Sequence, residues 1–241
     1  MNQTSRILEE VKKAVCGKDR VLVWVLTVLL ARGHVLLEDI PGVGKTTMAL
    51  AFSRALGLDY GRVQFTPDVL PSDITGYSVY QKESGKLVYQ PGAVLCNLFL
   101  ADELNRATSR TQSALLEAME EGQVTVDGVT HPLPRPFMVL ATQNPIEQEG
   151  TYALPEAQVD RFMFKLLMRY PTVEEMKQIV LMTQKTMDEV ADGVVDGETL
   201  LRMRETAKEI PVTDDIINYT MRLVSSTQPS SPEAGETAAR M

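Results

Sequence analysis

The stretch that decides the fold is EDIPGVGKTT, residues 38–47, which directly follows the apolar run HVLL. It ends in Gly-Lys-Thr, as the phosphate-binding loop G-x-x-x-x-G-K-[ST] does, but Asp39 stands at the first glycine of that pattern. A carboxylate at the mouth of a triphosphate site repels its ligand. The loop alone therefore leaves open whether it is a nucleotide site or a turn that only looks like one.

The residues around the loop favour a working phosphate site. HVLLE predicts a short apolar strand, and residues 46–56 have the period of a helix. A strand, a glycine-rich turn and a helix place the backbone N–H groups of residues 42–46 at a helix N-terminus, where they bind phosphate. Lys45 is expected to reach the β- and γ-phosphates and Thr46 to ligate Mg²⁺. Asp39 lies at the strand end, where a turn tolerates aspartate.

The rest of the chain predicts an α/β fold with a central parallel sheet. Strands are expected at residues 62–65, 97–103, 137–144 and 162–168, with β-hairpins over 77–90 and around 127–128. Helices are expected at residues 5–14, 18–32, 109–121, 173–187, 197–208 and 213–225. This order favours an α/β nucleotide-binding domain over residues 1–170 and a small helical domain over residues 171–241.

Two acids, Asp102 and Glu103, directly follow the buried strand LFLA. A phosphoryl-transfer site needs a carboxylate for the Mg²⁺ shell and a second group that orients the attacking water. Asp102 suits the first role and Glu103 the second, since adjacent residues at a strand end can face different partners. Acids also cap strands without any function, but the phosphate loop upstream favours the catalytic interpretation.

Asn144 and Arg161 are the other candidates for the same site. In a parallel sheet Asn144 would lie beside the other strand ends, within reach of the γ-phosphate or the water, although a plain turn before Pro145 would explain it equally well. Arg161 has no acidic neighbour that obliges a pairing except Asp160, whose spacing does not favour a helical pair. It is expected either to reach a neighbouring subunit's phosphate site or to be a solvated surface residue.

Composition limits the classes of function. The 241 residues carry a net charge of −8, which argues against non-specific nucleic-acid binding because a phosphate backbone is held by clustered Lys and Arg. The longest apolar run, residues 21–31, has about half the length that a membrane span needs, so no membrane insertion is expected. The N-terminus is too charged for a secretory signal. Cys16 and Cys96 are expected to be buried free thiols, as in a reducing cytoplasm.

Four longer segments carry a resemblance to a known family. They are LLEDIPGVGKTT (36–47), RVQFTPDVLPSDITGY (62–77), LLEAMEEGQVTVDG (115–128) and ATQNPIEQEGTYALPEAQVDRF (141–162). With them the chain resembles AAA+ ATPases and, among these, the MoxR family, over about residues 5 to 228. The resemblance implies a P-loop three-layer αβα domain followed by an all-helical lid.

The resemblance also assigns the residues of an ATP and Mg²⁺ site by position. It gives catalytic roles to Lys45 (Walker A), Glu103 (Walker B), Asn144 (sensor 1) and Arg161, an arginine finger for the adjacent protomer. It assigns Thr46 and Asp102 as ligands of Mg²⁺. It gives nucleotide contacts to Val15, Gly17, Pro41, Gly42, Val43, Gly44, Lys45, Thr46 and Thr47, with residues 15–20 lining the adenine pocket. No guanine-specifying N-K-x-D is present, which favours ATP over GTP.

The family resemblance further implies how such a protein works. It predicts a homo-oligomeric ring, usually a hexamer, a companion protein with a von Willebrand factor A domain, and a client protein or metalloenzyme that is remodelled or matured. The hairpin at residues 76–90 is expected to face the pore or the client. Two alternatives are a nucleotide-gated binding scaffold with little hydrolysis and the motor subunit of a metal chelatase.

One departure from the family lies at the C-terminal end. MoxR lids normally continue past SSTQPSSPEAGETAARM into a Gly-x-Ser-Pro-Arg segment whose arginine is sensor 2. Arg240 does not lie in such a segment, so the lid is expected to be truncated here.

Overall fold

A computed structural model describes residues 2–38, 44–144, 152–182, 193–232, 234–236 and 238. The chain divides into two compact units, residues 1–204 and residues 205–241. The predicted boundary at residue 170 stays a prediction.

The strands of the described residues alternate with helices along most of the first unit. The strands are β1 (Val35–Glu38), β2 (Tyr60–Gln64), β3 (Gly76–Gln81), β4 (Lys86–Pro91), β5 (Leu98–Asp102), β6 (Gln123–Val126), β7 (Val129–Pro132), β8 (Met138–Gln143) and β9 (Phe164–Leu167). The helices are α1 (Gln3–Lys12), α2 (Asp19–Leu30), α3 (Lys45–Ala55), α4 (Pro71–Thr75), α5 (Ser109–Glu121), α6 (Glu156–Val159), α7 (Val173–Met182), α8 (Gly197–Lys208) and α9 (Asp214–Ser226). Among them no helix has the length and apolar character needed to cross a membrane.

The central sheet has five parallel strands in the order β2-β5-β8-β1-β9. Because parallel strands end at the same edge, this order brings together the segments that follow β1, β5 and β8. β8 lies between β5 and β1, so the strand that precedes Asn144 separates the acids from the phosphate loop. The predicted parallel α/β fold is confirmed.

Both faces of the sheet are covered by apolar layers. On β5, Leu98 and Leu100 pack in one cluster with α1, α2 and α3, whereas Phe99 and Ala101 pack in a second cluster with α5. All five residues of β5 are buried, as expected for a parallel strand covered on both sides. The three-layer αβα architecture follows from this alternation.

Most predicted elements lie within one to three residues of the observed bounds, and the differences are local. The predicted hairpin at residues 77–90 is β3 and β4, one residue longer at each end. The predicted helix over 173–187 is described to Met182, and the continuation lies outside the described residues. The expectation that both thiols are buried is wrong for Cys16, which is half-buried with its Sγ 2.8 Å from Gln178 Oε1. Both cysteines are free.

The two hairpins, β3–β4 and β6–β7, contact each other through an aromatic stack. The rings of Tyr89 on β4 and His131 on β7 lie with centroids 3.7 Å apart and planes inclined by 13°. The Tyr89 hydroxyl donates to the carbonyl of Thr75 at 2.6 Å, which fixes the ring against the end of α4.

His34 is a buried histidine that anchors the start of β1. Its Nδ1 accepts a hydrogen bond from the Val139 N–H at 2.9 Å, and its Nε2 lies 3.3 Å from the Met119 carbonyl oxygen. Burial lowers the pKa of His34 to about 4; the Met119 carbonyl opposes this shift and the charge of Arg204 adds to it. The folded protein therefore holds a neutral imidazole at pH values where the unfolded chain is protonated.

We expect the free energy of unfolding to fall by about 2 kcal/mol from this group between pH 7.5 and pH 5, because only the unfolded chain takes up the proton in that range. Urea unfolding at the two pH values measures the loss. His34→Asn, which keeps an acceptor near Nδ1 but does not titrate, should lose this part of the pH dependence, and His131→Gln should retain it. An equal pH dependence in His34→Asn and the wild-type protein would contradict the assignment.

Candidate functional site

The phosphate loop lies between β1 and α3. Gly44 caps the N-terminus of α3 with φ 85° and ψ 22°, a left-handed conformation that favours glycine. α3 begins at Lys45, and the first turn of an α-helix cannot pair its N–H groups with carbonyl groups of the same helix. Asp39 and the predicted nucleotide contacts Pro41, Gly42 and Val43 lie outside the described residues. Thr46 and Thr47 lie in the first turn and are half-buried.

Lys45 and Asp102, which the sequence singled out for different reasons, lie together in the fold. Lys45 Nζ is 3.4 Å from Asp102 Oδ1, with 13% and 9% of the two side chains exposed. Asp102 Oδ1 also accepts a hydrogen bond from the Thr142 hydroxyl at 2.9 Å. Arg62, on the edge strand β2, donates to Asp102 Oδ2 at 2.8 Å. Both carboxylate oxygens therefore have donors.

These contacts keep Asp102 ionised. Burial by itself would raise the pKa of Asp102, but the hydrogen bonds from Arg62 and Thr142 and the charge of Lys45 outweigh it and hold the pKa below its ordinary value. An ionised carboxylate is the ligand type that Mg²⁺ prefers, and a lysine at the same place suits a phosphate. The donor set thus fits a magnesium–triphosphate ligand.

Glu103 faces a different partner from its neighbour Asp102. Its carboxylate forms an ion pair with Arg106, with Nη1 2.8 Å from Oε2, and its N–H donates to the Thr142 hydroxyl at 2.8 Å. The backbone of Glu103 is left-handed, with φ 58° and ψ 46°. This conformation turns the chain between β5 and the 3₁₀ turn Leu104–Arg106 and separates the two acidic side chains.

Asn144 lies at the end of β8, and hydrogen bonds tie it to the turn that follows the acids. It is 7% exposed, and its carbonyl oxygen accepts from Asn105 Nδ2 at 3.3 Å. The Asn105 carbonyl accepts from the Tyr152 N–H at 2.6 Å. Gln112, which is 1% exposed, places Nε2 within 3.3 Å of the carbonyl oxygens of Leu104, Ala107 and Tyr152. The turn after the acids is thereby fixed to both α5 and the segment that leads to α6.

Arg161 lies after α6 and is paired within the chain. Its Nη2 is 2.6 Å from Glu120 Oε2 on α5, and 38% of the Arg161 side chain is exposed. The sequence-based view that Asp160 was the only acid to consider is wrong, since a residue 41 positions earlier supplies the partner. The ion pair is at the surface, so it holds Arg161 weakly.

The segment expected to line an adenine pocket packs against the start of α7. Val15 is 6% exposed and belongs to the apolar cluster beside α1 and α2. Gly17 has φ 69°, and a Cβ there would meet the carboxyl group of Glu175. Lys18 Nζ donates to the carbonyl oxygen of Arg169 at 2.6 Å.

Several residues of the site were missed by the sequence interpretation. They are Arg62, Asn105, Arg106, Gln112 and Thr142. One of them carried a signal, because a polar residue within a buried apolar strand requires a hydrogen-bond partner: Thr142 on β8.

Comparisons with known proteins give four matches of note. The sequence profile of the ATPase family associated with various cellular activities (AAA) matches residues 34–164. The chain is 46% identical to the uncharacterized protein YeaC of Bacillus subtilis, over 92% of this chain and 70% of YeaC, and 44% identical to Chaperone MoxR1 of Mycobacterium tuberculosis, over 92% of this chain and 59% of MoxR1. A crystal structure of a Cytophaga hutchinsonii protein matches with TM-score 0.87 and 39% identity, over 94% of this chain and 69% of that one.

A glycine caps the N-terminus of a helix, and the lysine that follows it contacts a strand-end acid at the carboxyl edge of a parallel sheet. These features are those of a P-loop ATPase. The chain belongs to the AAA+ ATPases and, within them, to the MoxR family. It spans less than two thirds of the length of the MoxR relatives that it matches.

Proposed function

We propose that the chain binds ATP with Mg²⁺ and couples its hydrolysis to the remodelling of a client protein, as a subunit of a ring. The observation that carries the proposal is the contact between Lys45 Nζ and Asp102 Oδ1, which are 3.4 Å apart. The neighbouring Glu103 pairs with a different residue, Arg106. A phosphate-binding cation, a metal-binding acid and a second carboxylate for water are the parts that phosphoryl transfer requires.

In this proposal the N-terminus of α3 holds the phosphates. Lys45 exchanges Asp102 for the β- and γ-phosphates, and the Thr46 hydroxyl and Asp102 hold Mg²⁺, which when bound neutralises phosphate charge. The Val15–Lys18 segment is proposed to face the base. Arg62 keeps its hold on Asp102 Oδ2 and so fixes the direction of the carboxylate.

Glu103 is proposed to orient the attacking water and to accept its proton, and Asn144 to position the water or the γ-phosphate. The Asn105 bond to the Asn144 carbonyl supports this, since it holds the end of β8 at a fixed place relative to Glu103. Arg161 is proposed to act on the ATP of the adjacent protomer, for which it must exchange Glu120 for a phosphate.

Two observations support action on a client protein: the name of one relative and one exposed surface of this chain. The name Chaperone MoxR1 supports a chaperone-like role for this chain. The β3–β4 hairpin exposes about half or more of Tyr77, Tyr80 and Leu87, a surface suited to an apolar client segment. A companion with a von Willebrand factor A domain, a hexameric ring and a cytoplasmic location complete the proposal.

We expect Lys45→Met to weaken binding of ATP with Mg²⁺ about 100-fold, because one charge-assisted contact to phosphate is lost. The shift in melting temperature on adding the nucleotide measures this, since a ligand that binds the folded state stabilises it. Lys165→Met is the matched control: Lys165 pairs with Glu38 at 2.8 Å, at the last residue before the loop. Equal shifts in Lys45→Met and the wild-type protein would contradict the assignment.

A second candidate function is a nucleotide-gated scaffold with little hydrolysis. It is favoured by the ion pair that engages Glu103 with Arg106, which competes with water for the carboxylate. Phosphate release by the wild-type chain distinguishes the two functions, because the scaffold binds ATP at the same site but releases no phosphate above a blank without protein.

A further inference from the structure

The hydroxyl of Thr142 connects β8 with both acids of the site, Asp102 and Glu103. The residue lies on β8 and is fully buried, two positions before Asn144. Its Oγ1 donates to Asp102 Oδ1 at 2.9 Å and accepts from the Glu103 N–H at 2.8 Å. One hydroxyl thus touches both adjacent acids, one through its carboxylate and the other through its backbone.

The donor and acceptor groups fix the direction of both hydrogen bonds, since a backbone N–H can only donate. An ionised carboxylate has no hydrogen to donate, so the single hydroxyl hydrogen of Thr142 goes to Asp102. The Thr142 lone pairs are then left for the Glu103 N–H. The ion pairs of Asp102 with Arg62 and Lys45 keep this polarity in place.

The Glu103 N–H needs such a partner because of its backbone conformation. A left-handed backbone is disfavoured for residues other than glycine and persists only where the surroundings hold it. Two described contacts hold Glu103 besides the Thr142 bond: the Arg106 ion pair and the 3₁₀ bond from the Arg106 N–H to the Glu103 carbonyl at 2.9 Å. Both contacts join Glu103 to a residue that follows it in the chain. The bond to Thr142 joins the Glu103 N–H to the neighbouring strand β8.

We infer that Thr142 is a positioning residue for the two acids: its hydroxyl fixes the metal-binding carboxylate of Asp102 and the left-handed backbone that aims Glu103. The inference rests on the proposed roles of Asp102 and Glu103 in ATP hydrolysis. Thr142 acts through these residues and does not itself touch the nucleotide. It also ties both acids to β8, whose end carries Asn144, so that the three polar groups are held at one relative position.

Three variants test the inference in the full chain. Thr142→Val keeps the shape and removes the hydroxyl, and Thr142→Ser restores the hydroxyl. Thr111→Val is the matched control, because Thr111 is also fully buried and its hydroxyl donates to the Val69 carbonyl at 2.8 Å. Both valine variants lose a buried hydrogen bond, but only one of them loses it next to the acids.

We expect Thr142→Val to lower kcat for ATP about 100-fold while KM stays within about threefold, since misplacement of the reacting groups affects the chemical step. Thr142→Ser and Thr111→Val should keep kcat within about threefold. Binding of Mn²⁺ with ADP, followed by electron paramagnetic resonance, should weaken about tenfold in Thr142→Val, as for other residues that hold a metal-binding carboxylate.

A readout without nucleotide separates this inference from the proposed function. In Thr142→Val the amide hydrogen of Glu103 should exchange with solvent about tenfold faster or more, because its acceptor is gone. Unchanged exchange and unchanged kcat in Thr142→Val would overturn the inference, as would an equal loss of kcat in Thr142→Ser. If the wild-type chain hydrolyses no ATP, the proposed hydrolysis fails, and the Glu103 exchange and Mn²⁺ binding decide on Thr142 alone.

Discussion

We expect Glu103→Gln to bind ATP within about threefold of the wild-type affinity and to turn it over about 100-fold more slowly or worse. The amide has nearly the size of the carboxylate and can still accept a hydrogen bond from Arg106. It cannot take up a proton from water, so the chemical step loses its base. Nucleotide binding by calorimetry and phosphate release by a coupled assay measure the two effects separately.

The control for this variant is Glu121→Gln, which removes one carboxylate from the exposed end of α5. It should keep both binding and turnover, which excludes a general effect of lowering the negative charge. Turnover at the wild-type rate in Glu103→Gln would remove Glu103 from the mechanism. Loss of binding together with turnover would instead show that the carboxylate shapes the nucleotide site.

Arg161→Ala lowers turnover about 1,000-fold if Arg161 stabilises the transferred phosphoryl group of the adjacent protomer. Its stability should change little, because the ion pair with Glu120 is at the surface. Since the proposed action is in trans, an equimolar mixture of Arg161→Ala and Glu103→Gln should recover part of the turnover. In such a mixture some sites combine an intact Glu103 with an intact Arg161 from the neighbour.

Glu120→Gln serves as the control for Arg161, because it breaks the ion pair and leaves the guanidinium in place. It should hydrolyse ATP at a rate close to that of the wild-type protein. An equal loss in Glu120→Gln and Arg161→Ala would assign the ion pair a structural role. A mixture that stays inactive would contradict action between protomers.

The sequence was sufficient to predict the layers of the fold and the polar ends of the strands. The run LFLADE placed Asp102 and Glu103 at the end of a buried strand, and a parallel sheet puts such ends at one edge. These two facts place Lys45 and Asp102 at the same edge of the sheet, but their contact also depends on the strand order, in which a single strand, β8, lies between β1 and β5.

The partners of the acids could not be predicted, because they depend on the order of the strands and on backbone conformation. Arg62 reaches Asp102 only because β2 lies beside β5, and Glu120 reaches Arg161 only because α5 and the segment after α6 lie together. The left-handed backbone of Glu103 has no signature in composition or periodicity, since glutamate rarely adopts it. The role of Thr142 could not be predicted either, although its hydroxyl within the apolar run FMVLATQ is visible in the sequence.

The left-handed backbone of Glu103 has a consequence for how this protein can change by mutation. Glycine or asparagine adopts that conformation at lower cost, so either residue would fit the turn between β5 and α5 more easily than glutamate does. Both lack the carboxylate. If Glu103 has the proposed catalytic role, selection for thermal tolerance alone would favour its replacement, and a library sorted only for stability would be enriched in inactive chains.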